Sequence, residues 1–140
     1  MSLKLKIGVS ILSSDLSNLK NECSRIIESG SDFIHIDIMD GHFVNNITFG
    51  PPVIKSIRKN NDYLLDCHLM VSEPDKWIIP IYESGGNIFT FHIESTDNPL
   101  NIIKKVKELK MKCGIAISPE TKIESILYLI DKIDLVLIMT

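Results

Sequence analysis

Six short apolar runs recur along the chain, at residues 6–12, 33–39, 64–70, 88–93, 112–117 and 135–139, and a new one begins about every 20 to 30 residues. Each is rich in Ile, Val, Leu and Phe and only four to eight residues long, which suits strands covered on both faces of a parallel sheet. Amphipathic stretches separate them. Residues 16–29 put Leu16, Leu19, Cys23, Ile26 and Ile27 on one stripe and stop at Gly30, a residue suited to end a helix. Residues 74–83 open with Pro74 in the first turn and stop before Gly85, with Pro80 expected to kink or shorten the helix. Residues 100–109 set Ile102, Ile103, Val106 and Leu109 against Lys104, Lys105, Lys107 and Glu108, with Asn98 as the cap. Residues 123–130 repeat the idea after Pro119. The order predicts βα units in one parallel sheet.

A weak internal echo supports a repeat. Glu28-Ser29-Gly30 precedes the second run and Glu83-Ser84-Gly85 the fourth, so a helix end turning on glycine recurs with two βα units per period. Neither a linker nor a low-complexity tract interrupts the chain, and residues 1–140 are read as a single domain. At 140 residues and 44% hydrophobic, a chain can bury a real core. With 15 Lys+Arg against 18 Asp+Glu it lacks the basic balance of a nucleic-acid binder. Cys23, Cys67 and Cys113 are odd in number and form no CxxC, so reduced, buried thiols of an intracellular protein are expected. The opening Met1-Ser2-Leu3-Lys4-Leu5-Lys6 leads into no long apolar stretch, because Asp15 and Asn18 interrupt it. No export signal, no membrane-spanning run and a cytoplasmic location are therefore expected.

Side-chain parity separates an open doubly wound sheet from a closed barrel. In the second run Ile34, Ile36 and Ile38 share one face, and His35, Asp37 and Met39 share the other. In the third, Leu65, Cys67 and Leu69 oppose Asp66, His68 and Met70. One parity is apolar while the other turns functional toward the strand's C-terminal end, as in a (β/α)8 barrel whose inward residues converge at the mouth. No Gly-x-Gly-x-x-Gly follows the first run, which removes the dinucleotide fingerprint.

His35 and Asp37 project to the same face, and His68 lies at the same height on the neighbouring strand. Two imidazoles and a carboxylate converging in a lumen form a first shell for a divalent metal; the alternative is a set of satisfied core histidines. A bound ion would polarise a carbonyl, and Asp37 could move a proton on the adjacent carbon. Met39, Met70 and Met139 end three strands with inward parity, either as core filler or as a soft, dry cap over one substrate face. Ser10 shares the parity of Gly8, and its hydroxyl could bond a substrate oxygen. Asp40-Gly41 reads as turn chemistry, Cys67 lies on the parity opposite His68, and His42 and His92 are taken as structural, the latter with unsettled parity. Lys104, Lys105, Lys107 and Lys110 read as a solvated helix face.

The string His35-Ile36-Asp37-Ile38-Met39-Asp40-Gly41-His42-Phe43-Val44, followed by Asn46-Ile47-Thr48-Phe49-Gly50-Pro51-Pro52, closely resembles the ribulose-phosphate 3-epimerase family. So do Ser10-Ile11-Leu12-Ser13-Ser14-Asp15, Asp66-Cys67-His68-Leu69-Met70-Val71, Thr90-Phe91-His92-Ile93-Glu94 and Asp134-Leu135-Val136-Leu137-Ile138-Met139-Thr140. The resemblance implies a TIM barrel that interconverts D-ribulose 5-phosphate and D-xylulose 5-phosphate in the pentose phosphate pathway. It implies His35, Asp37 and His68 as metal ligands, the ion being Zn2+ first, with Fe2+, Mn2+ or Co2+ as alternatives. Asp37 matches one of two acid/base aspartates, His68 also matches a substrate contact, and Ser10, Met39, Met70 and Met139 match residues around the substrate. A small sugar phosphate as partner and a homo-oligomer, dimer or hexamer, are implied as well. Asn45 stands where proline is common, and Glu120 where glycine is common.

Family members continue into an Asn-Pro-Gly-Phe-Gly-Gly loop and a seventh strand whose Val-Asp-Gly-Gly supplies the fourth metal ligand and second catalytic aspartate. Phosphate-gripping loops come after strands seven and eight. The 140 residues supply the first six βα units of a barrel usually about 200–250 residues long. This chain alone is therefore expected to be inactive, and the edges of its first and sixth strands to be open to aggregation. Weighed beside the epimerase are a ketohexose 6-phosphate epimerase, a metal-dependent barrel hydrolase and a non-catalytic truncated barrel.

Overall fold

A computed structural model describes residues 5–59 and 61–140. Residues 1–4, part of the opening stretch read above for an export signal, lie outside the described residues. Alternation is plainest in β2 (Phe33–Met39), where Ile34, Ile36 and Ile38 are buried and the residues between them half-buried. It pairs in parallel with β1 (Gly8–Ser10) on one side and β3 (Leu65–Met70) on the other. β4 (Ile88–His92), β5 (Lys112–Ile117) and β6 (Leu135–Ile138) follow, all parallel, in the spatial order β1-β2-β3-β4-β5-β6. A doubly wound sheet reverses its order at a switch point; this one never does. Gly8 and Ser10 of the first strand line the same cavity as Leu135 and Leu137 of the last, together with Phe33, His35 and Asp66. The sheet curls around a lumen, as the parity argument requires.

Among the described residues four α-helices cover the outer face: α1 (Leu19–Glu28), α2 (Pro51–Arg58), α3 (Ile78–Ser84) and α4 (Pro99–Glu108). The stretch expected as one helix over 16–29 begins with a 3-10 turn at Leu16–Asn18 and becomes α1 afterwards. Likewise 74–83 splits into a 3-10 turn, Pro74–Trp77, and α3. The α-helix is short, seven residues, and Pro80 falls in its first turn, where an N–H has no intrahelical acceptor. Helix α2 was not expected. Gly50-Pro51-Pro52 reads as loop punctuation, yet proline suits the first helical position, and Ile54 and Ile57 give the helix a buried face. Between β5 and β6 the chain forms a 3-10 helix, Ile123–Lys132. Its buried residues, Ile126 and Leu129, are three apart, matching three residues per turn.

The main core lies between sheet and helices. Outward residues such as Ile34, Ile36, Leu65, Cys67, Leu69, Phe89, Phe91, Cys113 and Ile115 cluster with Cys23, Ile54, Ile78, Ile81, Ile102, Val106, Ile126 and Leu129. The repeated Glu-Ser-Gly echo has a structural cause: Gly30 and Gly85 both take left-handed φ, at 97° and 96°, to turn α1 and α3 toward their next strands. All three thiols are free and buried, and burial pushes Cys113 up to about 12 and Cys67 higher still. Among the described residues no helix is long and apolar enough to cross a membrane, and β1 and β6 each pair on one side only.

On the inner face, Gly114 of β5 stands beside Thr90 of β4. A Cβ at Gly114 would lie 2.4 Å from Thr90 Oγ1, which is committed as donor to Asp66 Oδ1 at 2.9 Å. Gly114→Ala is expected to destabilise the chain by about 1–3 kcal/mol through this overpacking, measured by urea unfolding. An unchanged midpoint would show that Thr90 can turn away freely.

Candidate active site

Parallel register sets His68 opposite Asp37, Asp66 opposite His35, and Ser10 opposite His35 on the other side. All of these side chains share the inner parity. Asp37 is the junction. Its Oδ1 lies 3.1 Å from His35 Nε2 and 2.9 Å from His68 Nδ1, while its Oδ2 accepts the Ser10 hydroxyl at 2.5 Å. His35, Asp37 and His68 each offer one ligand atom, and the three atoms lie within 4.8 Å of one another. The expected metal trio is thus brought together, with Ser10 beside it.

A further row of residues lies behind this trio. His35 Nδ1 faces Asp66 Oδ2 at 2.8 Å, and the other Asp66 oxygen accepts from Thr90. His68 Nε2 lies 2.9 Å from His92 Nε2, and His92 Nδ1 lies 3.1 Å from Glu94 Oε2. His92, read as structural with unsettled parity, points inward, 1% exposed, and stacks on His68 with ring centroids 5.1 Å apart. Asp66, Thr90 and Glu94 had no role in the sequence reading. Asp66 and Thr90 were findable, since each stands two residues before an inward histidine on the same strand. Glu94 was not, because it lies beyond β4 in the 3-10 turn Ile93–Ser95, where alternation no longer marks direction.

Met39 and Met70 face each other across β2 and β3, two residues beyond Asp37 and His68 in the register. Met70 is buried at 4% exposure and Met39 is half-buried. Met139 follows β6, half-buried, and its N–H donates to the Ile117 carbonyl at 3.1 Å. Asp40 is turn chemistry, as expected, and it also joins two loops. One oxygen accepts the N–H groups of His42 and Phe43, and the other accepts the Ser72 N–H and hydroxyl, both at 2.9 Å. His42 stays exposed in its loop, and Cys67 packs outward, away from His68.

Burial disfavours charge on His35, yet carboxylates at both its nitrogens outweigh this and raise it to about 9. Burial also opposes ionisation of Asp37, but bonds from His35 and Ser10 hold it well below the usual carboxylate range. Burial and the neighbouring His68 push His92 down against the pull of Glu94. A cationic His35 between two anions therefore stabilises the metal-free fold. Its folded pKa exceeds the unfolded value of 6.5, so this contribution is complete below pH 6.5 and is lost as pH rises toward 9. The urea midpoint of the metal-free chain should fall across that window, and His35→Gln should flatten the fall. A wild-type midpoint constant from pH 6.5 to 9 would contradict it.

The Ribulose-phosphate 3 epimerase family model matches residues 6–140. A ribulose-phosphate 3-epimerase of Eremothecium gossypii is 43% identical over 145 residues, covering 96% of this chain and 61% of its own length. The cytoplasmic isoform of Oryza sativa subsp. japonica is 45% identical, with 96% and 61% covered. The Bacillus subtilis enzyme is 41% identical, with 97% and 63% covered. The chain thus spans about 60% of the length of these curated relatives. Among solved structures, the tryptophan synthase alpha chain of Legionella pneumophila aligns with TM-score 0.59 at 13% identity, over 96% of this chain and 60% of that one. Yersinia pestis DHPS aligns with TM-score 0.60 at 10% identity, over 84% and 46%. These two show the fold alone. With a family match over nearly all its residues and relatives above 40% identity, the chain belongs to the ribulose-phosphate 3-epimerase family.

Proposed function

We propose that the chain serves a metal-dependent epimerase interconverting D-ribulose 5-phosphate and D-xylulose 5-phosphate, a reading supported by relatives named ribulose-phosphate 3-epimerase. The observation that supports it most is the Asp37 carboxylate, placed between His35 Nε2 and His68 Nδ1 by one oxygen and on Ser10 by the other.

The donor set suits a divalent cation. Both imidazoles have their far nitrogens partnered, His35 by Asp66 and His68 by His92, the outer-sphere support that ligating histidines need. Two nitrogens and a carboxylate oxygen within 4.8 Å of one another suit zinc first, with Fe2+, Mn2+ or Co2+ also accommodated. Such an ion would polarise the substrate carbonyl and stabilise the negative charge that develops when the adjacent proton leaves.

The chain's own residues supply the rest. Asp37 Oδ2, bonded to Ser10 and outside the two imidazole contacts, is the base for the proton at C3. Ser10 holds that oxygen in place. Met39, Met70 and Met139 form an apolar cover that keeps water from the reacting carbon, and His68 also contacts substrate. Inversion needs delivery of a proton to the opposite face. The inner faces of β4, β5 and β6 offer Thr90, His92, Gly114, Ala116, Leu135 and Leu137 there, and no carboxylate. Residues 1–140 alone are therefore expected to lack turnover. The rice relative's name supports a cytoplasmic setting, and a homo-oligomer, dimer or hexamer, completes the proposal.

Zinc or cobalt titration of the chain should show one ion bound per chain, lost in Asp37→Ala. In an enzyme that includes a second acid, Asp37→Asn should lower kcat by about 10^2- to 10^4-fold while sparing the fold. Assays of ketopentose 5-phosphate and ketohexose 6-phosphate side by side fix the sugar. Unchanged turnover in Asp37→Asn would remove Asp37 from the chemistry, and robust turnover by residues 1–140 would overturn the need for a second acid.

A further inference from the structure

The two imidazoles that flank Asp37 are held from behind in different ways. His35 leans directly on a carboxylate, with its Nδ1 2.8 Å from Asp66 Oδ2. His68 meets another imidazole, and only that imidazole meets a carboxylate. We propose that His92 and Glu94 are positioning residues that fix the tautomer and orientation of His68, so that its Nδ1 lone pair is presented beside Asp37 to the metal. This inference rests on the metal reading above.

The direction of every hydrogen bond follows from the fixed end. Glu94 Oε1 accepts the backbone N–H of Ser118 at 2.7 Å, which anchors the carboxylate to the loop after β5. Its other oxygen, Oε2, is 3.1 Å from His92 Nδ1. Bonds from Ser118, Thr121 and His92 outweigh burial and keep this carboxyl below its ordinary range, so it only accepts. His92 Nδ1 therefore carries a hydrogen. In the neutral ring that leaves His92 Nε2 as an acceptor, and the atom 2.9 Å away, His68 Nε2, must donate to it. The remaining nitrogen of His68, Nδ1, is left with a bare lone pair 2.9 Å from Asp37 Oδ1. Two electron-rich atoms at that distance call for a cation beside them.

Packing gives the relay little freedom to rearrange. His68 and His92 are each 1% exposed, and their rings stack with an interplanar angle of 28°. Phe43, from the loop after β2, covers His92 with ring centroids 4.7 Å apart. The loops after β2 and β5 thus both reach the back of a ligand on β3. The loop after β2 also meets the trio directly, because the Thr48 hydroxyl donates to the Asp37 backbone carbonyl.

Long-range 1H–15N spectra of the histidine rings, recorded on the chain with and without Zn2+, test the proposal alongside Zn2+ affinity by chelator competition. The Zn2+-bound chain should show His92 protonated at Nδ1 and His68 at Nε2. Glu94→Ala should weaken Zn2+ binding about 10- to 100-fold and mix the His68 tautomers. Glu94→Gln keeps an acceptor for Ser118 and should fall between the two; it carries the test if Glu94→Ala does not fold. A folded Glu94→Gln or Glu94→Ala with unchanged Zn2+ affinity and a single unchanged His68 tautomer would overturn the relay while leaving the metal reading intact. Failure of the unsubstituted chain to bind either Zn2+ or Co2+ would overturn the metal reading, and this role of the pair with it.

Discussion

The parallel register between β2 and β3 is the constraint on which everything at the site depends. It sets Asp37 against His68 and His35 against Asp66, all facing inward. A slip of one residue would send Ile36 and Cys67 into the lumen and bury the charged set against the helices. The core prevents this. Ile34, Ile36, Leu65, Cys67 and Leu69 are each fully buried on the outer face, and displacing even one of them toward water costs on the order of 1.5–3 kcal/mol. Hydrophobic burial outside the barrel wall thus holds polar chemistry inside it.

Placing ionisable groups in a narrow lumen carries its own cost, met here by mutual satisfaction. Asp37 binds His35 and Ser10 and faces His68, Asp66 binds His35 and Thr90, and Glu94 binds His92 and Ser118. Among the described residues no buried side-chain nitrogen or oxygen lacks a partner. A network this complete pre-orients its members, so a ligand or substrate arriving at Asp37 meets side chains already in place. Gly114 belongs to the same arrangement, because its missing Cβ is what lets Thr90 reach Asp66.

Loops make the second contribution. Asp40 ties the loop after β2 to Ser72 beyond β3, and Glu94 ties the turn after β4 to Ser118 beyond β5. Burial opposes ionisation of both, yet both are held below their ordinary range. Asp40 is held chiefly by the N–H groups of Ser72, Phe43 and His42, and Glu94 first by the Thr121 side chain and then by the Ser118 N–H. The C-terminal ends of the strands are therefore linked pairwise around the mouth where Met39 and Met70 close the site.

Alternation in 33–39 and 64–70 was enough, without coordinates, to place β2 and β3, to separate their faces and to single out His35, Asp37 and His68, because a strand's period of two is a local property. The glycine turns at Gly30 and Gly85 and the Asn98 cap were legible for the same reason. Helix α2 was hidden by Gly50-Pro51-Pro52, whose local preference for a turn was overridden when Ile54 and Ile57 found the sheet. The Ile123–Lys132 segment took three residues per turn instead of the expected α-helical period. What only the tertiary structure decided is which groups stand behind the ligands. Asp66, His92 and Glu94 come to the site from β3, β4 and the turn beyond it, through strand order and curl. Those depend on pairings between residues 24 or more apart in sequence, which no local pattern encodes.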